Sequence, residues 1–161
     1  MNTPNENFQE YVVVFPKTVS SSEKILLVEK DRPEWQKGRF NLVGGHVEQG
    51  EGIAEAAVRE FAEETGMGIL GKPEQVGTIE GTNCVVHIFQ VIVGDNQKIT
   101  PRPQETEKVS WKYWDEIKND SKLIPNLKVV IPLCMAGVRG WILEDIGNEI
   151  GIGSYNMKIS F

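Results

Sequence analysis

Residues Gly44 to Met67 read GGHVEQGEGIAEAAVREFAEETGM, and the second half of this stretch decides the fold. From Gly52 to Thr65 nearly every residue is a good helix former, proline is absent, and Gly66 stands where a glycine closes a helix. The spacing predicts a helix over Gly52–Thr65. On that helix Glu60, Glu63 and Glu64 occupy positions i, i+3 and i+4, so they fall within an arc of about 100°. Three like charges on neighbouring positions repel one another, and a cation should compensate. Oxygen-only ligands suit hard cations, and a few carboxylates with waters and substrate phosphates are how proteins usually hold Mg²⁺. Ile53, Ala54, Ala57, Val58 and Phe61 form an apolar stripe expected to dock the helix on a sheet. Arg59 lies one turn from both Glu55 and Glu63 and can pair with either. Just upstream, GGHVEQGE places glycines where backbone N–H groups can approach an anion as a loop feeds the helix N-terminus. A phosphate-accommodating turn would thus lead into a metal-binding face.

Working outward, Tyr11–Phe15 and Lys24–Lys30 are short β-rich runs separated by Ser-rich Thr18–Ser22, and a hairpin or meander is expected. Asp31–Gly38 is a polar loop, followed by a brief strand at Arg39–Val43 that runs into Gly44 and Gly45. Gln75–Glu80 and Cys84–Val93 read as strands, the second alternating poorly and so expected to be buried on both faces. Gly94–Gln104 is a long polar loop. Glu107–Trp114 reads as a strand entering a short helical turn, and Pro125–Arg139 as a second helix that Pro132 should kink or shorten. Strands on both sides of one long helix, with a late helix, imply an α+β chain of α/β/α sandwich form, its mixed sheet packed between helices.

The 161 residues fit one domain, since single cores usually hold about 100–150 residues. The net charge of −6 and the lack of a basic stripe exclude a polymeric nucleic acid as partner. The longest apolar run, Val129–Val138, carries Pro132 and falls far short of the roughly 20 residues needed to cross a bilayer, so no membrane span is expected. The opening MNTPNENFQE has no apolar core of leader length, and a cytoplasmic location is expected. Residues 1–8 read as a flexible N-terminus. Residues 147–161, GNEIGIGSYNMKISF, stay open between a closing hairpin, a dimer arm and a mobile tail. Cys84 and Cys134 lack CxxC or CxxH company and read as packed or idle thiols.

Gly45, five residues, Glu51, seven residues, then Arg59-Glu60-Phe61-Ala62-Glu63-Glu64-Thr65-Gly66-Met67 resembles a complete Nudix box, the signature of the Nudix hydrolases. Two positions depart from it: Phe61 is aromatic where an aliphatic residue is usual, and Val43 stands where many members have proline. The resemblance implies a Nudix-like fold and a metal-dependent pyrophosphohydrolase cleaving a nucleoside diphosphate linked to another moiety. It implies that Glu60, Glu63 and Glu64 bind Mg²⁺, with Mn²⁺ as the alternative, while water attacks phosphorus. Glu51 and Arg59 would support the loop-helix geometry, and Glu48 matches a frequent glutamate of the loop. Many members add a carboxylate from a later loop as ligand or base. Glu105 and Glu107 are the candidates here, with Glu105 favoured by its distance from Trp111. His46 reads as a loop polar residue and His87 as a packed or pocket residue.

Gly38-Arg39-Phe40-Asn41 is similar to the Gly-Arg-Trp-Asn stretch of the oxidised-purine nucleoside triphosphatases, so Arg39, Asn41, Gly44 and Gly45 are candidate substrate contacts. Those enzymes carry acidic residues after a later Trp-Pro, whereas this chain reads Ile124-Pro125-Asn126-Leu127. Trp35 could stack on a base or anchor its loop. The implied partner is a small-molecule nucleotide, with a homodimer possible by analogy. The alternative is a non-catalytic Nudix-like nucleotide-binding sensor module, against which the intact Arg59-Glu60 and Glu63-Glu64 pairs stand. Isopentenyl diphosphate isomerase shares the fold, but its catalytic Cys and His-rich metal site have no counterpart here.

Overall fold

The computed structural model describes residues 7–20, 23–145 and the backbone of 155–159. The strands are β1 (Gln9–Thr18), β2 (Lys24–Glu29), β3 (Phe40–Asn41), β4 (Val43–His46), β5 (Leu70–Glu80), β6 (Cys84–Val93), β7 (Lys108–Tyr113), β8 (Trp141–Asp145) and β9 (Tyr155–Ile159). The helices are α1 (Ile53–Thr65), α2 (Trp114–Ile117) and α3 (Leu127–Met135), with a 3-10 turn at Glu34–Gln36. Six strands form one mixed sheet in the order β4-β1-β6-β5-β8-β9, and β3-β2-β7 form a second.

The centre of the large sheet is β1 running parallel to β6, with Val12 opposite His87 and Val14 opposite Phe89. Alternation sends Val12 and Val14 to one face, where they meet Ala56, Ala57 and Phe61 of α1. Phe15 on β1 and Val86 and Ile88 on β6 go to the other face, against Ile117 of α2 and Leu127, Val130 and Ile131 of α3. The large sheet therefore lies between helices, as expected, and β6 buries residues towards both faces. β2 feeds both cores as well, Ile25 and Leu27 entering one and Leu26 and Val28 the other.

Three expectations are corrected. β1 and β2 do not form a hairpin: β1 pairs with β4 and β6, while β2 pairs with β3 and β7 in the other sheet. The strand expected at Arg39–Val43 is broken at Leu42, so Phe40–Asn41 joins the small sheet and Val43–His46 the large one. On α1, Ala54 and Val58 are exposed, and Glu64 and Thr65 share the buried side with Ala56, Ala57 and Phe61. α1 itself starts at Ile53, with Gly52 as N-cap, and ends on Gly66 at φ 68°, whose N–H donates to Ala62 O. α3 is shorter than expected and carries Pro132 inside it. Of the terminal segments, residues 1–6, 146–154 and 160–161 lie outside the described residues, while β9 pairs antiparallel with β8. Among the described residues no helix is long and apolar enough to cross a membrane.

Gly77 shows how tightly the sheet is closed. It sits at a register shift of β5 opposite fully buried Trp141, and a β-carbon there would run into the indole. Gly77→Ala should therefore lower stability by about 1–3 kcal/mol through overpacking, read as an earlier urea midpoint. An unchanged midpoint would show that Trp141 can move aside.

Candidate active site

The loop His46–Gly52 between β4 and α1 is held by one side chain. Arg59 Nε donates to Glu51 Oε2 at 2.7 Å and Nη2 to Glu51 Oε1 at 2.9 Å, a bidentate pair. Nη2 also donates to His46 O at 2.9 Å, and Nη1 to Glu60 Oε1 at 2.9 Å and Glu63 Oε2 at 3.5 Å. Of the two expected partners of Arg59, Glu63 is engaged and Glu55 is not. The guanidinium holds the Glu51 carboxyl at about 2, well below its ordinary value. Glu48 is peripheral, 68 % exposed and 3.8 Å from Arg59.

Gly44 and Gly45, expected to contact the substrate, line the cleft and also have a packing role. They lie in β4, paired with Val13 and Val12, and a side chain on Gly44 would strike the β1 backbone. A β-carbon on Gly45 would occupy the space of the Glu60 carboxylate. The double glycine thus lets the edge strand and the helix approach closely, which brings Glu60 to the sheet end.

The three helix carboxylates are not a solvated face. Glu60 and Glu63 are 15 % and 21 % exposed at the side chain, and Glu64 is buried. Burial raises the Glu60 carboxyl, partly offset by Arg59. Burial pushes Glu64 up to about 8, with Lys30 opposing and Glu60, Glu107 and Glu105 adding to the rise. Glu64 Oε2 has no hydrogen-bond partner among the described residues. A buried carboxylate oxygen without a partner, under the influence of further carboxylates, asks for a cation, and an oxygen-only donor set suits Mg²⁺ or Mn²⁺. The donors do not converge as they stand: no three such groups among the described residues meet in ligand geometry, because Glu60 and Glu63 turn to Arg59 and Glu63 also to Arg102.

The later loop separates its two candidates. Glu107 Oε1 accepts from Lys30 Nζ at 2.9 Å and its Oε2 from Asp31 N at 2.7 Å, so both oxygens are committed. Glu105, 24 % exposed, has one ion-pair contact among the described residues, Arg102 Nη2 at 3.6 Å. Both line the same cleft as Glu60, Glu63 and Glu64, a cavity of about 1010 Å³.

At its other end the cleft is apolar, formed by Ile79, Val86, Ile88, Ile124 and Leu127, with Trp35 on the 3-10 turn. Phe40 N donates to Lys122 O and Ile124 N to Phe40 O, stitching the segment before α3 to β3. This brings Asn126 and Asn41 into one wall. Asn41 Oδ1 accepts from Leu42 N and its Nδ2 donates to Gln36 Oε1. Asn126 is 6 % exposed with Oδ1 unpartnered among the described residues. Arg39 is not among the residues lining the cleft. His46 stacks on Tyr11 with ring centroids 4.3 Å apart, and His87 bonds Gln75 outside the cleft. Cys84 lines the cleft and Cys134 is buried.

Sequence reasoning missed Asn126, Arg102 and Lys30. The only signal for Asn126 was a polar residue opening an apolar helix; for Arg102, its place three residues before Glu105.

Residues 8–134 match the NUDIX domain. An ADP-ribose pyrophosphatase of Methanocaldococcus jannaschii is 47 % identical over 49 residues, covering 30 % of this chain and 28 % of that protein. A Bacillus subtilis protein provisionally named 8-oxo-dGTP diphosphatase is 49 % identical over 53 residues, 32 % of each. The chain thus spans less than a third of the length of the curated relatives it matches. Among solved structures, the MutT protein from Bacillus halodurans superposes with TM-score 0.70 at 20 % identity, covering 93 % of this chain and 97 % of that one. A NUDIX hydrolase from Nitrosomonas europaea gives 0.61 at 26 % identity, covering 82 % and 91 %. The fold is shared with these proteins.

The raised Glu64 carboxyl carries a pH signature. Its folded value of about 8 lies above the ordinary 4.5, so its contribution favours the fold below about pH 4.5 and is lost as pH rises through 8. With chelator present, stability should fall between pH 5 and 8, about the window of that shift, and Glu64→Gln should flatten the fall. Parallel urea midpoints for both proteins across that range would refute the assignment.

Proposed function

The chain belongs to the NUDIX domain family, and from that membership we propose that it is a divalent-metal-dependent pyrophosphohydrolase. Its substrate is a nucleoside diphosphate linked to another moiety, a nucleoside triphosphate or nucleotide-sugar type, cleaved by attack of water at phosphorus. The observation that carries this reading is Glu64, buried with Oε2 unpartnered among the described residues and within electrostatic reach of Glu60, Glu105 and Glu107, in a cleft that Glu63 also lines and whose far end is apolar. Glu60, Glu63 and Glu64 would hold Mg²⁺ or Mn²⁺. Such an ion supplies charge for the phosphate oxygens and lowers the pKa of a bound water.

The chain's own groups divide the remaining work. Arg59 and Glu51 fix the loop and the start of the carboxylate face. Glu105, with both oxygens less committed than those of Glu107, takes the proton of the attacking water or orients it. Trp35 and the apolar wall receive the base, and the amides of Asn41 and Asn126 offer it hydrogen bonds. Asn126 has the spare acceptor, since Asn41 Oδ1 is already bonded to Leu42 N. The names of the two curated relatives point to two substrate classes, ADP-ribose and an oxidised purine nucleotide. On this reading the chain works as one domain in the cytoplasm.

The test is phosphate and pyrophosphate release across nucleoside triphosphates, oxidised purine triphosphates, ADP-ribose and dinucleoside polyphosphates, with and without Mg²⁺. Metal-dependent cleavage of one class supports the proposal; nucleotide binding without any turnover would replace it with the sensor module. On the substrate so found, Glu105→Gln should lower kcat by about 10²–10⁴ with KM little changed, the range of a lost general base. Glu107→Gln should chiefly cost stability, because it leaves Lys30 half-buried without its carboxylate. Equal kcat losses in the two variants would contradict this division.

A further inference from the structure

The loop between β6 and β7 is bolted to the end of α1. Thr100 N donates to Thr65 O at 2.7 Å and Arg102 N to Glu63 O at 3.0 Å, so loop amides satisfy carbonyls that a helix end leaves open. Gln97 closes a second pair with the Gly68 backbone, donating from Nε2 and accepting at Oε1, both at 2.9 Å. Gly66 is required for this approach, because a side chain there would strike Thr100. Glu105 N then donates to Arg102 O at 2.9 Å and closes a turn. The result is a fixed backbone that presents Arg102 to the carboxylates from the open side of the cleft.

Arg102 Nη2 lies 3.1 Å from Glu63 Oε2 and 3.6 Å from Glu105 Oε1. Its side chain is 51 % exposed, and Nε and Nη1 carry no hydrogen bond among the described residues. The neighbouring cations differ: Arg59 spends every nitrogen on Glu51, Glu60, Glu63 and His46 O, and Lys30 is committed to Glu107. Among the described cations lining the cleft, which also include Arg32, Arg102 has ion-pair contacts with two cleft carboxylates and a guanidinium whose fork is still open.

We propose that Arg102 is an exchangeable counter-charge and a ligand for the substrate's diphosphate. It holds Glu63 and Glu105 when no divalent cation is bound; once a cation takes over their charge, the guanidinium turns its open fork to phosphate oxygens. Guanidinium geometry matches a phosphate in two parallel hydrogen bonds, which an ammonium cannot reproduce. The proposal rests on the pyrophosphohydrolase reading and assigns Arg102 to recognition of the diphosphate, whatever base or sugar it carries.

The test uses the full chain as wild type, Arg102→Ala and Arg102→Lys, with two binding readouts besides turnover. Mn²⁺ is titrated without nucleotide and free ion followed by electron paramagnetic resonance. Methylenediphosphonate, a diphosphate that cannot be hydrolysed, is then titrated by calorimetry at saturating Mg²⁺. Arg102→Ala should bind Mn²⁺ about threefold to tenfold more tightly, having lost the competing cation, and methylenediphosphonate about tenfold more weakly. Arg102→Lys should restore only part of the diphosphonate affinity. Unchanged diphosphonate affinity in Arg102→Ala would reduce the contact to an exposed ion pair, and weaker Mn²⁺ binding would make Arg102 a structural support of Glu63; either overturns the proposal. Wild type that binds no Mn²⁺ and cleaves no nucleotide would instead remove the pyrophosphohydrolase reading beneath it.

Discussion

The arrangement of the site depends on the guanidinium of Arg59. A planar fork with five donors can join groups from different elements only if all of them lie near its plane, and here they come from the end of β4, the following loop and α1 itself. His46 O and Glu51 anchor one side; Glu60 and Glu63 take the other. The loop is thereby tied to the helix, which itself seats on the sheet through Ala56, Ala57 and Phe61 with Glu64 on the same buried side. Gly44 and Gly45 complete the constraint from the opposite direction, since any side chain there would push β4 away from β1 or Glu60 away from β4. A lysine at position 59 could supply the charge but not the set of directions.

Charge balance explains why so crowded a site is tolerable. Six carboxylate side chains and four arginine or lysine side chains line the cleft, a deficit of two positive charges. The deficit is concentrated at Glu64, where burial and nearby carboxylates act together, and its proton is the local remedy. One divalent ion would supply the same charge in a form that also suits phosphate oxygens. The pairs Lys30–Glu107 and Arg59–Glu51 are shorter and less exposed than the pair that Arg102, with its half-exposed guanidinium, makes with Glu63.

Local sequence carried α1 almost entirely. Its end at Gly66 and the shared side of Glu60, Glu63 and Glu64 follow from helix geometry and capping, which act within a few residues. The failures are all long-range. Ala54 and Val58 looked as apolar as Ala57, but the helix seats itself on the sheet through Ala56, Ala57 and Phe61, which leaves them exposed. The β1–β2 connection looked like a hairpin because neighbouring strands usually pair, yet β1 is taken up by β4 on one side and β6 on the other. The sequence favours Glu105 over Glu107 only by its distance from Trp111; the physical difference comes from the pairing of β2 with β7, which sets Glu29 opposite Lys108 and brings Lys30 to Glu107.

The same long-range pairing explains the two chemically different ends of the cleft. β2 delivers alternate residues to both cores, so the small sheet spans the gap between the helix layer of α1 and that of α2 and α3. Its loops therefore contribute to the cleft that joins the carboxylates to the apolar wall. Lys30 sits at the near end of the β2–β3 connection, Trp35 further along it and Asn41 on β3 beyond, where Phe40 is stitched to the segment leading into Asn126. A ligand with a charged diphosphate and a flat, partly polar base would meet these residues in that order along its length. The broken strand at Leu42 is what makes this possible, because it lets one chain segment belong to the apolar end at Asn41 and to the carboxylate end at Gly45 only four residues later.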